Sequence, residues 1–283
     1  MKTGLVLEGG GMRGLFSAGV MDVMMETGIR FDGIIGVSAG AAFGVNYKSG
    51  QRGRALRYNV DYCQDKRYCG LSSLLKTGNL FNTEFCYDEI PLKLDVFDFD
   101  AFERDPTAFY ITCTDVESGK PVYHEYLGRE DHGFDWVRAS ASLPVVSQMV
   151  EIDGLKLLDG GIADSIPVAY FERIGYTKNV VILTQPQGYR KEKNQLLPLI
   201  RVQYRHYPNL VKALEMRHLM YNAELALIQE QEKQGNLFVI RPHLPLEVKR
   251  MEKDPARLRT CYEMGRHAAK TAREQLLAFL KKG

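Results

Sequence analysis

The chain has 283 residues, of which 45% are hydrophobic and 25% are charged, and its formal net charge is +2. This composition is typical of a soluble globular chain that can bury a sizeable core. No apolar run is long enough to span a bilayer, and the first residues lack the apolar stretch of a signal peptide. Five cysteines without a CxxC pair indicate free thiols in a reducing cytoplasm and argue against a zinc site.

Positive charge is concentrated in the last third of the chain. Residues 1–189 carry 18 Lys and Arg against 25 Asp and Glu, whereas residues 190–283 carry 19 against 10. The basic part could contact anionic lipid headgroups and make the protein peripheral at a membrane. We favour the simpler interpretation that it docks on the acidic part or presents a solvated face, and both interpretations stay open.

Two strands and two helices are predicted at the start of the chain. The apolar residues 4–7 indicate a buried strand, and apolar residues at helical spacing indicate a helix over 13–27 that Gly28 terminates. Residues 33–37 form the next predicted strand and 39–47 the helix behind it. This order is typical of a βαβ unit, so we expect an α/β fold with a mainly parallel central sheet.

The rest of the chain shows mostly short patterns of secondary structure. Residues 51–105 are less regular, and their acidic patch is interpreted as loop and solvated helix end. After Pro186 the sequence pattern changes to long helical segments, so we divide the chain into a main domain at 1–186 and a mainly helical C-terminal extension at 187–283. Strands are predicted at 109–114, 121–123, 155–158, 180–183 and 237–240, and long helices at 208–234 and 255–281.

Ser38 stands where the second predicted strand turns into a helix, in the string Gly36-Val37-Ser38-Ala39-Gly40. A nucleophile elbow needs this arrangement, because its sharp turn leaves no room for side chains two residues before and after the serine. The turn places the hydroxyl at a helix N-terminus, where backbone N–H groups favour developing negative charge. We predict that Ser38 is a nucleophile and that Gly36 and Gly40 form its elbow.

A glycine-rich loop precedes the first helix. Glycines let bare backbone approach a substrate with successive N–H groups aimed at one point, as an oxyanion hole requires. Arg13 adds a cation in the first helical turn, so either an anion binds there or a salt bridge to Glu8 holds the side chain, and both interpretations stay open. The predicted oxyanion loop comprises Gly9, Gly10, Gly11, Met12, Arg13 and Gly14.

The same loop matches the dinucleotide-binding pattern GxGxxG. That pattern requires an acidic residue at the end of the second strand, where it holds the ribose. Asp32 has a suitable spacing but precedes the second strand, and Ser38 follows that strand instead. The sequence therefore disfavours nucleotide binding.

Asp159 follows a predicted strand, and Gly160 and Gly161 after it allow close approach of the backbone. An aspartate near Ser38 could take its proton as a general base, although a carboxylate with an ordinary pKa of about 4 is a weak base. A structural turn is the common alternative for an Asp-Gly pair. The presence of the other two motifs favours the catalytic interpretation.

A triad that includes a histidine is an alternative to this dyad, because histidines follow Asp159 in the chain. An α/β-hydrolase places several strands before its elbow, whereas Ser38 comes early here. None of the histidines lies in a glycine-rich turn. We therefore expect none of the following to be catalytic: His206, His218, His243 and His267.

A basic, aromatic stretch opens the first long C-terminal helix. It could lie at a membrane interface and feed lipid to the site, but packing of the helix explains its apolar members equally well. The stretch comprises Arg201, Tyr204, Arg205, His206, Tyr207, Leu210, Lys212, Met216 and Arg217.

Together the three motifs resemble those of the patatin-like phospholipases, lipid acyl hydrolases with a Ser/Asp dyad. The family's glycine-rich, nucleophile and aspartate blocks match residues 9–14, 36–40 and 159–161, and a lesser block matches residues 139–144. The resemblance covers roughly the first two thirds of the chain. It implies a parallel-rich central sheet flanked by helices and makes residues 1–186 the catalytic domain.

The resemblance also implies a reaction, the hydrolysis of a carboxylic ester of a lipid. Ser38 would form the acyl-enzyme, Asp159 would act as base, and the reaction would need neither a metal nor an organic cofactor. The activity would be that of a phospholipase A, a lysophospholipase or an esterase, acting on a lipid or small ester, and we expect no nucleic-acid partner. An acyltransferase with the same dyad and a non-catalytic module on the same fold stay open as alternatives.

Overall fold

The computed structural model describes residues 1–281, and one eight-stranded sheet runs through them. The strands are β1 (Lys2–Leu7), β2 (Gly33–Val37), β3 (Ala108–Asp115), β4 (Pro121–Glu125), β5 (Val150–Ile152), β6 (Leu155–Asp159), β7 (Tyr176–Ile182) and β8 (Leu237–Ile240). They pair in the order β5-β6-β3-β2-β1-β7-β8, and β4 also pairs with β3. The strands β3, β2, β1, β7 and β8 are parallel, whereas β4 and β6 run antiparallel to β3.

Helices cover both faces of this sheet. They are α1 (Gly14–Glu26), α2 (Ala39–Lys48), α3 (Arg54–Tyr62), α4 (Leu71–Thr77), α5 (Phe99–Arg104), α6 (Asp135–Ser140), α7 (Val168–Arg173), α8 (Leu197–Gln203), α9 (Pro208–Lys233) and α10 (Pro255–Lys281). A π-type helical segment (Phe85–Leu94) and short 3-10 turns (Gly11–Arg13 and Gly160–Ile162) complete the helical structure.

The core has two layers because successive side chains of a strand point to opposite faces. In β1, Leu5 and Leu7 join the cluster formed with α1, α2 and α10, whereas Val6 joins the cluster formed with α7 and α9. All three side chains are fully buried. Such continuous apolar runs are expected for parallel strands that are covered on both faces.

The predicted βαβ unit and the α/β fold class are confirmed. The strand β1 pairs with β2 in parallel, with Leu5 opposite Ile34, and α1 ends just before Gly28, which adopts a left-handed φ of 70°. The long C-terminal helices also form where they were predicted, although β7 begins earlier, at Tyr176.

Residues 51–105 contain more helix than the sequence predicts, although part of the acidic patch does lie at an exposed helix end, as predicted. This region contains α3, α4, the π-type segment and α5. The acidic patch is built into these elements: Asp98 caps α5 by accepting from the Ala101 N–H at 2.8 Å, and Asp95 forms ion pairs with Arg54 and Arg57. The helix α3 is strongly amphipathic and its pattern was overlooked, whereas α4 and α5 are only seven and six residues long and the π-type segment has little helical periodicity.

The C-terminal region joins the same sheet and core. Its strand β8 pairs in parallel with β7, and α10 packs against α1 through Gly265, where a Cβ atom would lie 1.9 Å from the Phe16 carbonyl oxygen. In the basic, aromatic stretch, Tyr204 and Leu210 are buried, so their packing is intramolecular. Along residues 1–281, no helix is both long and apolar enough to cross a membrane.

Candidate active site

Ser38 occupies a sharp turn between β2 and α2. Its φ of 55° and ψ of −121° lie in a region that residues other than glycine rarely adopt, and such strain is typical of a nucleophile elbow. A Cβ atom at Gly40 would lie 2.4 Å from the Leu7 carbonyl oxygen, and one at Gly36 would lie 2.6 Å from the Ala41 nitrogen. The two glycines are therefore needed for this turn to pack against β1 and the start of α2.

The end of α6 and the residues after it connect the elbow to the aspartate. The N–H of Ser38 donates to Ser140 Oγ at 2.8 Å, and the Ser140 hydroxyl donates to the Thr112 carbonyl at 2.7 Å. Two residues later, the Ser142 carbonyl accepts from the Asp159 N–H at 2.8 Å. Residues 139–144 thus hold the backbone of both residues, which is a role that the sequence motif did not reveal.

Asp159 ends β6 and is 2% exposed. Its Oδ1 atom accepts from the Gly161 N–H at 2.8 Å, whereas Oδ2 is buried and receives no well-aligned hydrogen bond from the part of the chain that the structure describes. Burial raises the pKa of this carboxyl, and the charge of Arg217 and hydrogen bonding from the Ser38 hydroxyl oppose the rise. The carboxylate therefore lies beside Ser38 with an oxygen that can accept a proton.

The glycine-rich loop runs along the other side of the elbow. A Cβ atom at Gly9 would lie 2.9 Å from the Ser38 Cβ, so only glycine permits this approach. The N–H of Met12 donates to the Arg250 carbonyl at 3.2 Å, and that of Gly14 donates within the 3-10 turn. Among residues 1–281, the N–H groups of Gly10 and Gly11 donate no backbone hydrogen bond other than those that belong to a helix or a strand. These two amides are therefore candidates for the predicted oxyanion hole.

Glu8 anchors this loop and does not form the predicted alternative salt bridge with Arg13. Its Oε2 accepts from the Thr184 N–H and its Oε1 from the Tyr221 hydroxyl, each at 2.6 Å. The Nε of Arg13 is buried and has no hydrogen-bond partner among the described residues. The interpretation that an anion binds at Arg13 therefore stays open.

Ser38 and Asp159 line one cavity together with the glycine-rich loop. Its apolar wall comes from α2, α3, the π-type segment and α6, and includes Phe43, Tyr58, Ile90, Val137 and Leu143. No histidine lines this cavity as far as the structure describes the chain, and no cluster of side chains suited to a metal ion is found in that part. Asp32 lies at the opposite end of β2, where it accepts from the Thr3 N–H at 2.6 Å.

Comparison with known proteins agrees with this arrangement of motifs. A family model described as patatin-like phospholipase matches residues 5–172. The chain belongs to this family. A second model, a domain of unknown function (DUF6363), matches residues 207–281.

Several relatives are similar over different shares of the patatin-like chain. The Escherichia coli K12 protein YjjU is 28% identical over 94% of this chain and 75% of its own length. The NTE family protein Rv1063c of Mycobacterium tuberculosis is 29% identical over 59% of this chain, but the match spans only 45% of that protein. Lysophospholipase nte1 of Aspergillus fumigatus is 30% identical over 61% of this chain and 11% of its own length. Among solved structures, the match to VipD from Legionella pneumophila spans 95% of this chain and 66% of the VipD chain, with 11% identity and a TM-score of 0.47.

The region beyond the patatin-like match also contributes to the cavity. Arg217 of α9 donates through Nε to the Gly161 carbonyl, and its guanidinium would lie 3.1 Å from a Cβ atom at Gly161. Lys191, Tyr221 and Arg250 line the same cavity. The sequence placed Arg217 only in a basic stretch at a helix start, because nothing in the linear order relates it to Asp159.

Proposed function

We propose that this patatin-like protein hydrolyses carboxylic esters of lipids through an acyl-enzyme on Ser38. The observation that carries the proposal is the meeting of the strained serine, the buried carboxylate of Asp159 and the glycine-rich loop in one cavity. A serine hydroxyl becomes a useful nucleophile only when a nearby base accepts its proton. We assign this role to Asp159, because its buried carboxyl interacts with the Ser38 hydroxyl.

Acylation begins with attack of the Ser38 oxygen on the ester carbonyl while Asp159 accepts the hydroxyl proton. The new C–O bond converts the carbonyl into a tetrahedral oxyanion, which the amides of Gly10 and Gly11 stabilise. The intermediate then expels the alcohol, which takes the proton from Asp159 as the C–O bond of the ester breaks. Ser38 is left esterified with the acyl chain, and Asp159 is ionised again.

Deacylation repeats these steps with water as the nucleophile. Asp159 takes a proton from the water as its oxygen attacks the acyl carbonyl, and the oxyanion forms beside the same amides. Collapse of this intermediate returns the proton to Ser38 and releases the fatty acid. No electrons are gained or lost, so the dyad, the amides and water suffice for the cycle.

A lipid is the substrate class that the cavity favours. Aromatic and aliphatic side chains such as Phe43, Tyr58 and Ile90 line the cavity beside Ser38, and burial of an acyl chain against them contributes about 25 cal/mol for each Å² removed from water. The relatives include lysophospholipases by name. We therefore propose a lysophospholipase or phospholipase A-type activity.

The nucleophile is tested with a fluorophosphonate probe, which reacts covalently with activated serines. Wild type should be labelled on the peptide that contains Ser38, and Ser38→Ala should not be labelled. Ser72→Ala is the matched control, because Ser72 is exposed on α4 and lies outside the cavity. Equal labelling of wild type and Ser38→Ala would contradict the assignment.

A further inference from the structure

One face of α9 contacts the catalytic loops. Arg217, Tyr221 and Glu224 follow one another at spacings of four and three residues, so their side chains lie on the same face of the helix. Leu214 and Ile228 continue this face and are buried in the core. The C-terminal region therefore directs three polar side chains towards the active site.

Two of these side chains hold the aspartate loop, residues 159–165. Arg217 donates through Nε to the Gly161 carbonyl at 2.5 Å, and the Ser165 hydroxyl donates to the same carbonyl at 2.8 Å. The Ser165 N–H in turn donates to Glu224 Oε1 at 3.1 Å. Hydrogen bonds therefore join the aspartate loop to α9 at two points.

The third side chain, Tyr221, supports the glycine-rich loop. Its hydroxyl donates to Glu8 Oε1 at 2.6 Å, and the other carboxylate oxygen of Glu8 accepts from the Thr184 N–H. Glu8 directly precedes the glycines of that loop. Both catalytic loops therefore receive support from the same face of α9.

Arg217 also places a positive charge beside Asp159. A Cβ atom at Gly161 would lie 3.1 Å from Nη2 of Arg217 and 3.0 Å from Oδ1 of Asp159, so the separation of these two atoms cannot exceed the sum of the two distances. An opposite charge at about 4–6 Å favours the ionised form of a carboxyl group. Burial raises the pKa of Asp159 and lowers that of Arg217, and the charge of each group opposes the shift of the other.

The other ionisable groups that face Asp159 do not replace this charge. Arg250, in the segment before α10, also opposes the rise in the pKa of Asp159, but it contributes less than Arg217 and is exposed. Tyr87 of the π-type segment and Cys113 of β3 face the carboxylate from the other elements. Burial raises the pKa of both groups, so they stay neutral. Arg217 is therefore the main cation that acts on the carboxylate.

We propose that Arg217 is a positioning residue for Asp159, which it holds in place through the Gly161 carbonyl and keeps ionised through its charge. This role rests on the proposed function and deepens it, because only an ionised Asp159 can accept the proton of Ser38. The region beyond the patatin-like match then takes part in the reaction, since α9 supplies the charge that the buried base requires.

Two variants separate the charge of Arg217 from its hydrogen bond. Arg217→Gln removes the charge, so the acidic limb of kcat/KM for monooleoylglycerol, an uncharged substrate, should move upward by at least about one pH unit. Above the new limb Asp159 is ionised again, and activity should return to within about tenfold of wild type, because Ser165 still holds the Gly161 carbonyl. Arg217→Lys keeps a positive charge, so its limb should stay at the wild-type pH while kcat falls by up to about tenfold at every pH.

The charge state of Asp159 is also measured without any substrate. Aspartate that is isotopically labelled at the side-chain carboxyl carbon gives an NMR titration, and the Asp159 signal is assigned by its loss in Asp159→Asn. This titration should move upward in Arg217→Gln by the same amount as the activity limb. Lys212→Gln is the matched control, because Lys212 is an exposed cation of the same helix outside the cavity, and both of its profiles should match wild type.

The outcomes separate this role from the proposed function. A limb and a carboxyl titration that stay at the wild-type pH in Arg217→Gln would overturn the positioning role, and so would a loss of activity that is equal at every pH. If Arg217→Gln does not fold, Arg217→Lys decides, because a displacement of its limb by about one pH unit would overturn the role of the charge. Absence of ester hydrolysis by wild type would overturn the proposed function, whereas an upward titration of Asp159 in Arg217→Gln would still support the charge beside it.

Discussion

At the residue scale, burial makes Asp159 a stronger base than an exposed carboxylate. Loss of water around the carboxylate raises its pKa, and Arg217, the Ser38 hydroxyl and the Gly161 amide offset part of the rise. A base with a higher pKa binds the proton of the serine more tightly. The low pKa of an ordinary carboxylate was an objection to the dyad at the level of the sequence. The buried environment of Asp159 answers this objection because it raises the pKa.

Replacement of Asp159 by Asn should abolish most activity without unfolding the protein. Asn keeps the shape and can still accept from the Gly161 N–H, but it cannot take the proton of Ser38. We expect kcat to fall at least about a hundredfold, with a small change in thermal midpoint. Asp100→Asn, at an exposed position on α5, is the control. Near-wild-type turnover of Asp159→Asn would refute the dyad.

The pH dependence of wild-type hydrolysis should reflect the same carboxyl group. Asp159 acts only when ionised, so kcat/KM is full above its pKa and is lost as the pH falls through it. Because burial raises this pKa, the acidic limb should lie above the ordinary value of 3.8. A profile that stays flat down to that value would contradict a buried carboxylate base.

At the element scale, much of the catalytic half of the fold was predictable and the cavity wall was not. The strands β1 and β2 are short apolar runs and α1 is rich in apolar residues, and the Gly36–Gly40 spacing pointed to the turn at Ser38. The cavity wall was missed for two reasons: the amphipathic pattern of α3 was not recognised, and the π-type segment has little helical periodicity and contains Pro91.

The crossing of α1 and α10 depends on two glycines. A Cβ atom at Gly265 would lie 1.9 Å from the Phe16 carbonyl oxygen, and one at Gly19 would lie 2.1 Å from the Tyr262 carbonyl oxygen. Alanine favours a helix by about 1 kcal/mol over glycine, but the helices would have to separate to admit the methyl group. Close packing of α10 on the catalytic core therefore requires small residues at this crossing.

Gly265→Ala should destabilise the protein by about 1–3 kcal/mol despite the better helix propensity of alanine. The free energy of unfolding in urea measures the effect. Gln275→Ala, at an exposed position of the same helix, should change it by less than about 0.5 kcal/mol. An increase in stability of Gly265→Ala would mean that α10 does not pack closely on α1.

At the scale of the whole molecule, the site is shared between two regions of the chain. The patatin-like region supplies Ser38 and Asp159, and the C-terminal region supplies Arg217 and other cations around them. The linear sequence could not predict the proximity of Asp159 and Arg217, because the two residues are brought together only when α9 packs on the sheet.

Part of the basic C-terminal region docks on the acidic region, because Arg266 of α10 pairs with Glu26 of α1 at 2.9 Å. Contact with a membrane and a cytoplasmic location stay predictions.

The most direct test is the release of fatty acid from lysophospholipid by purified wild type and Ser38→Ala under identical conditions. The Ser38 acyl-enzyme predicts release by wild type and a loss of at least about a thousandfold in the variant, because the nucleophile is gone while the fold remains. The fold of the variant is checked by its thermal midpoint. Release by folded Ser38→Ala at the wild-type rate would contradict the proposed mechanism.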